Sequence, residues 1–281
     1  MFRREKSKAA SGEKSEVVDE KEWVLRHGNA VVFESDPMRI IVLPVVRGLG
    51  ENRRLVSETV RRFSPAAIGL PVSPDDMPVY IELAENDGEE KTVSSKTSKN
   101  MIYTMDGCLD ALSAEDEVYL AGLATFGDAH FPPPSYLEAI SLAKERHLHL
   151  FPLDMDEKTF SDLYVKNVSV FDLWRKTRSL RKLGRVLSRK KAVPDIKKVL
   201  GVESPEEFVA WWDSLSTRYS GFRAVEQARE KYMAEAILNH AIEHSPFLAI
   251  LEMERAEEVL NHIYGRREFS VSTQRIYRPY V

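Results

Sequence analysis

Four apolar runs constrain this fold more than any other feature of the sequence. They are Arg39-Ile40-Ile41-Val42-Leu43-Pro44-Val45-Val46, Ala66-Ala67-Ile68-Gly69-Leu70-Pro71-Val72, Leu148-His149-Leu150-Phe151-Pro152-Leu153 and Phe247-Leu248-Ala249-Ile250-Leu251. A strand with one wet face alternates apolar and polar residues, whereas a strand apolar at nearly every position must be covered on both faces, as in a parallel sheet flanked by helices. Between the first two runs, Leu55, Val56, Thr59, Val60 and Phe63 recur at helical spacing within Glu51 to Phe63, and Pro65 ends the segment. Strand, helix and strand within about 35 residues make one crossover unit.

The expected fold class is α/β: a parallel or mixed β-sheet flanked by helices, with a helical excursion before the last strands. Residues 1–21 mix Lys, Arg, Glu and Ser with little to bury and read as a disordered charged tail. Residues 22–281 read as a single domain. In it Trp23-Val24-Leu25 and Ala30-Val31-Val32-Phe33 flank a hairpin turn at His27-Gly28-Asn29, and Asp36-Pro37 turns the chain into the first apolar run. Residues 85–100 read as a flexible loop, and Glu117 to Ala124 as a short strand. Ser135 and Glu138 have capping-box spacing ahead of a helix from Tyr136 to Arg146. Residues 158–241 are helical in pattern and form the excursion, broken at Pro194, Gly201 and Pro205. Met253 to Tyr264 reads as the last helix, and Phe269 to Tyr277 as an edge strand.

Cys108 is the single cysteine of 281 residues, which excludes an intrachain disulfide and a thiolate metal cluster. The formal net charge of −4 gives no global field that would draw the chain to nucleic acid or membrane. No apolar run approaches the length that spans a bilayer, so no transmembrane segment is expected, and the expected location is cytoplasmic.

One stretch is specific enough to suggest a family. Ala228-Arg229-Glu230-Lys231-Tyr232-Met233-Ala234 resembles the Glu-Arg-Asp-x-Tyr-Met-Ala motif of the TraB family, whose relatives include the Tiki proteases, ChaN and the erythromycin esterases. From about residue 38 to 264 the spacing of elements is similar to that family. Ala139 to Glu157 resembles its Ala-rich helix, strand and Asp-Arg-Asp-Ile, with both aspartates kept as Asp154 and Asp156; Thr159 and the basic helix after it also fit.

The resemblance implies an α/β fold with a metal-assisted hydrolase site of histidines and a glutamate at the carboxyl edge of the sheet. The family's first histidine falls on Arg47, counting back from Pro65, and its glutamate on Pro71; its final Gly-Ala-Gly-His-Val falls on Ile250-Leu251-Glu252-Met253-Glu254. Arginine has no lone pair to offer a metal, and proline offers no side-chain ligand. The expected chemistry is therefore a degenerate one, with no catalytic residue, metal or cofactor, and a pocket rim of Arg47, Asp154, Asp156, Arg229, Glu230 and Glu252.

Gly48-Leu49-Gly50 lies between a strand and a helix, where its amides and Arg47 would cradle a phosphate or another anion; the bland alternative is a tight turn. His240-Ala241-Ile242-Glu243-His244 has the spacing of a zinc signature, two histidines on one helix face. From Arg175 to Lys191 the chain holds no acid, and Leu173, Trp174, Thr177, Leu180, Leu183 and Leu187 fall on one stripe. Arg175, Arg178, Arg181, Lys182 and Arg185 of that segment would meet an anionic surface, or simply face solvent.

Three functions follow as expectations. The leading one is a catalytically degenerate TraB-like domain that binds a small anionic ligand or a protein partner. The second is a metal-dependent hydrolase with displaced ligands, His240, Glu243 and His244 together with Glu252 or His262. The third is a membrane- or nucleic-acid-associated adaptor acting through the basic helix, residues 173–191.

Overall fold

The computed structural model describes residues 28–85, 91–93, 114–188, 200–265 and 269–276. Its centre is a six-stranded mixed sheet. The chain runs β1 (Asn29–Ser35), β2 (Met38–Val45), α1 (Asn52–Phe63), β3 (Ala67–Leu70), α2 (Met77–Glu85), β4 (Lys91–Val93), α3 (Ala114–Leu123) and β5 (Ala129–Phe131). It continues through α4 (Pro134–Arg146), β6 (His149–Pro152), α5 (Glu157–Asn167), α6 (Val170–Ser188), α7 (Pro205–Thr217) and α8 (Ser220–Glu243), and ends with β7 (Phe247–Glu252), α9 (Met253–Tyr264) and β8 (Ser270–Arg275).

In space the strands lie β6-β3-β7-β2-β1-β8. The four apolar runs form the parallel half: β6 with β3, β3 with β7, and β7 with β2. Strand β1 then pairs antiparallel with both β2 and β8. Helices cover the two faces separately. Leu55, Val56 and Val60 of α1 and Ala139 and Ile140 of α4 pack on Leu43, Val45, Ile68 and Ile250. Met233 and Ile237 of α8 and Val259 and Leu260 of α9 pack on Ile40, Val42, Ala249 and Leu251. The crossovers β2–α1–β3 and β6–α8–β7 therefore run on opposite faces, and a crevice opens beyond the carboxyl ends of the parallel strands.

The expected α/β class, the helical character of the described part of residues 158–241, and the edge strand at β8 all hold. Several local expectations do not. The turn through Asp36-Pro37 into β2 is not among these and forms as expected, and residues 22–27 of the expected hairpin, like the tail 1–21, lie outside the described residues. Within 85–100, Lys91–Val93 is a strand paired with β5. The run Glu117 to Ala124 is helix α3, not a strand, because its apolar residues meet a helix. Tyr119, Leu120 and Leu123 form a third cluster with Phe208 and Trp212 of α7, with the Tyr119 and Trp212 rings 5.6 Å apart. The capping box does not form: α4 begins at Pro134, Ser135 is buried inside it, and Glu138 bonds Ser57 of α1. Strand β6 lies at the sheet edge and is only half-buried, so its run of apolar residues overstates its cover. No described helix is long and apolar enough to cross a membrane.

The α3–α7 contact gives a test of opposite sign to helix propensity. Alanine in place of a mid-helix glycine ordinarily stabilises by up to about 1 kcal/mol. A Cβ on Gly122 would stand 2.3 Å from the buried Phe208 ring. Gly122→Ala is predicted to lower stability by about 1–3 kcal/mol in urea unfolding; a gain would mean that α3 does not pack on α7.

Candidate functional site

The carboxyl ends of the parallel strands deliver charge to the crevice. Arg47 follows β2, Pro71 and Val72 follow β3, Asp154 follows β6, and β7 ends in Glu252 and runs straight into Glu254 and Arg255 of α9. Helix α8 crosses above and adds Glu226 and Arg229, while α7 adds Asp213 and α6 adds Lys176. The cavity they enclose has a volume of about 440 Å³. Tyr80 and Tyr136 form one side wall and stand edge to face, their ring centroids 5.8 Å apart.

Its wall is an alternating chain of ions. Asp154 is engaged by Arg229, whose Nε lies 3.1 Å from Oδ2. Arg229 also reaches Glu226 at 3.1 Å, and Glu226 accepts from Arg255 at 2.9 Å. Arg255 bonds Glu252, whose Oε1 also accepts from the Tyr136 hydroxyl at 3.0 Å and lies 3.6 Å from Arg47. Arg47 closes the chain on Asp116 of α3 at 3.1 Å, with its guanidinium 5.0 Å from the Tyr119 ring centre.

This arrangement sorts the acids. Burial would raise Glu252 and Glu226, but the arginines outweigh it: Arg255 and Arg47 hold Glu252 low, and Arg255 and Arg229 hold Glu226 low. Burial would equally lower Arg47, yet Glu252, Tyr119 and Asp116 keep it firmly charged. Burial and then Glu252 push Glu254 well above the ordinary glutamate range, and its Oε2 is buried with no hydrogen-bond partner among the described residues. Burial, with Glu226 beside it, also raises Asp213.

Four of the sequence-derived rim residues meet at this cavity: Arg47, Asp154, Arg229 and Glu252. The others do not line it. Asp156 caps α5, accepting from the Thr159 amide and hydroxyl at 2.8 Å each, which lowers its pKa. Glu230 is buried in α8, where burial and then Glu226 and Glu258 push it up to about 7. Gly48 and Gly50 belong to a turn stitched to β5. The Gly50 amide donates to the Asp128 carbonyl at 2.8 Å, the Leu49 amide to Val46 at 3.1 Å, and the Gly48 carbonyl accepts from His130 at 2.8 Å. Two amides that would cradle a phosphate are thus already spent, and Gly48 is required because the turn holds it at φ +90°.

The displaced metal set is not brought together either. His240 stacks on Phe151 with centroids 4.1 Å apart, the His244 ring is tilted against Phe151 at 4.9 Å, and His240 lies near Phe247, the first residue of β7. Glu252 is the last residue of that strand, about 16 Å further along at the usual rise. Among the described residues no group of three or more His, Cys, Asp or Glu could hold a metal ion. Glu226, Glu254, Arg255, Tyr80 and Tyr136 also line the cavity but belong to no sequence motif; the one signal for any of them is the ionisable residues directly following the fully apolar strand at 247–251.

No family model, curated protein or solved structure matches this chain.

The raised acids give a pH signature. A group whose folded pKa is raised keeps a proton that the unfolded chain releases, so its contribution declines as pH climbs from the ordinary glutamate range towards 7. Glu230→Gln is therefore predicted to raise Tm by a few degrees at pH 8 and to change it little at pH 4, where the wild-type acid is protonated in both states. Equal gains at both pH values would show that folding does not raise the pKa of Glu230.

Proposed function

We propose that this chain is a TraB-like α/β domain, degenerate as a hydrolase, that binds a small polar ligand in the cavity at the carboxyl edge of its sheet. One observation carries the reading. Arg47 and Pro71, the positions at which the resemblance expects a histidine and a glutamate, both line the cavity, as do Glu252 and Glu254 of the segment on which the family's final Gly-Ala-Gly-His-Val falls. The place fits a hydrolase centre, while the side chains there suit recognition. A recessed volume of about 440 Å³ falls in the range of small-molecule sites and favours such a ligand over a protein partner.

The lining narrows the ligand. Eight of its residues are Asp or Glu and four are Lys or Arg. Each of Arg47, Arg229 and Arg255 already holds two carboxylates, so a purely anionic ligand would have to displace one of them. The anionic ligand suggested by Arg47 alone gives way to a molecule bearing amine or hydroxyl donors. Any acidic group on that molecule would be met by Arg47, the most exposed of the three arginines.

Thermal shift with small amines, amino acids and inorganic phosphate tests this. Amine-bearing compounds are expected to raise Tm progressively with concentration, as mass action requires, and Asp213→Asn is expected to weaken the effect. Stabilisation by phosphate alone would reverse the charge assignment. Metal-dependent turnover of ester or peptide substrates would overturn the degenerate reading.

A further inference from the structure

Helix α6 presents to solvent a face that its sequence stripe assigns to the interior. Leu180 packs against the third cluster, Thr177 is half-buried, and Lys176 lies 4.7 Å from the centre of the Phe222 ring. On the outer side, Val170 is 84% exposed, Phe171 56% and Trp174 54%, and Val165 at the end of α5 is 81% exposed. Of the seven large exposed hydrophobic residues among the described residues, five fall between Val165 and Trp174. So dense a patch marks an interaction site, since scattered apolar residues are ordinary but a contiguous group is not.

The charge on the same face identifies what it meets. Val170, Trp174, Arg178 and Arg181 recur at helical spacing, with Phe171 and Arg175 alongside, so apolar rings give way to guanidinium groups along the helix. Phe171 and Trp174 stack with centroids 6.1 Å apart; Arg175 sits 4.3 Å over Phe171 and Arg178 5.4 Å over Trp174. The side chains of Lys182 and Arg185 lie outside the described residues.

We propose that the exposed face formed by the end of α5 and the first half of α6 docks peripherally on an anionic lipid bilayer, with Phe171, Trp174 and Val170 entering the headgroup boundary and Arg175, Arg178 and Arg181 meeting lipid phosphates. Aromatic rings favour that boundary, and arginine stems lie along apolar surface while their heads stay hydrated. Charge complementarity decides against a second copy of the chain, because a two-fold contact would bring like arginines together. Nucleic acid fits less well. The aromatic faces are already covered by the protein's own arginines, and Val165, Val170 and Leu173 offer nothing to a base or a phosphate.

Flotation of the full chain with phosphatidylcholine vesicles, with and without phosphatidylglycerol, tests the proposal. Binding is expected only with phosphatidylglycerol, with a blue shift of tryptophan emission that Trp174→Phe removes. Phe171→Ser with Trp174→Ser, and separately Arg175→Glu with Arg178→Glu, are each expected to weaken binding about tenfold or more. These side chains are exposed, so unchanged thermal melts would establish that the variants fold. Undiminished vesicle binding by either double variant would overturn the proposal. So would tighter binding to a single-stranded oligonucleotide than to the vesicles, or a dimer that Phe171→Ser with Trp174→Ser dissolves.

Discussion

Asp154, Arg229, Glu226, Arg255, Glu252, Arg47 and Asp116 alternate in sign across the open end of the sheet, and the positions of β6, α8, α9, β7, β2 and α3 are mutually dependent through them. Taking so many ions out of water is expensive unless each finds a partner, and breaking a buried pair costs about 3–5 kcal/mol because it strands the other charge. Arginine suits the task better than lysine, since its planar fork can hold two carboxylates at once. The chain of ions adds little net stability over an apolar wall. It specifies instead how six elements distant in sequence must meet.

That specification divides chemically identical acids into two populations. Glu226 and Glu252 stand between arginines and remain charged, whereas Glu230 and Glu254 face burial and other carboxylates and rise towards neutrality. Pairs of groups whose environments push their pKa values apart are typical of sites that handle ligands or protons. Here the division lies at the crevice that a doubly covered sheet leaves open, while the aromatic and basic face of α6 points to solvent.

The sheet was legible in the sequence where physics leaves little choice. Runs such as Ile40 to Val46 and Phe247 to Leu251 have no wet face and could only be central strands, and Leu55 to Phe63 could only be a helix over them. Short apolar segments were not legible: Glu117 to Ala124 became α3 because its neighbour is α7, a fact no local period records. Of the site, Arg47, Asp154, Arg229 and Glu252 emerged from a motif resemblance. Glu226, Glu254 and Arg255 belong to no motif, and only the crossing of α8 over the end of β7 brings them together. The Gly-x-Gly turn misled because its spacing says nothing about where its amides point.

The pairing of β2 with β7 has a consequence during synthesis. Strand β2 is apolar on both faces, yet its parallel neighbour begins at Phe247, some two hundred positions later in the chain. The other side of β2 is satisfied early by β1, but β1 must itself wait for β8. A ribosome releases residues in order, so the hairpin of β1 and β2 emerges with both outer edges open and one of the most apolar segments of the chain unsheltered. Contacts of such long sequence separation form slowly and expose strands to association in the interval. A central strand is thus made some two hundred residues before the neighbour that completes it, and in that interval its open edge is a template for association until β7 arrives.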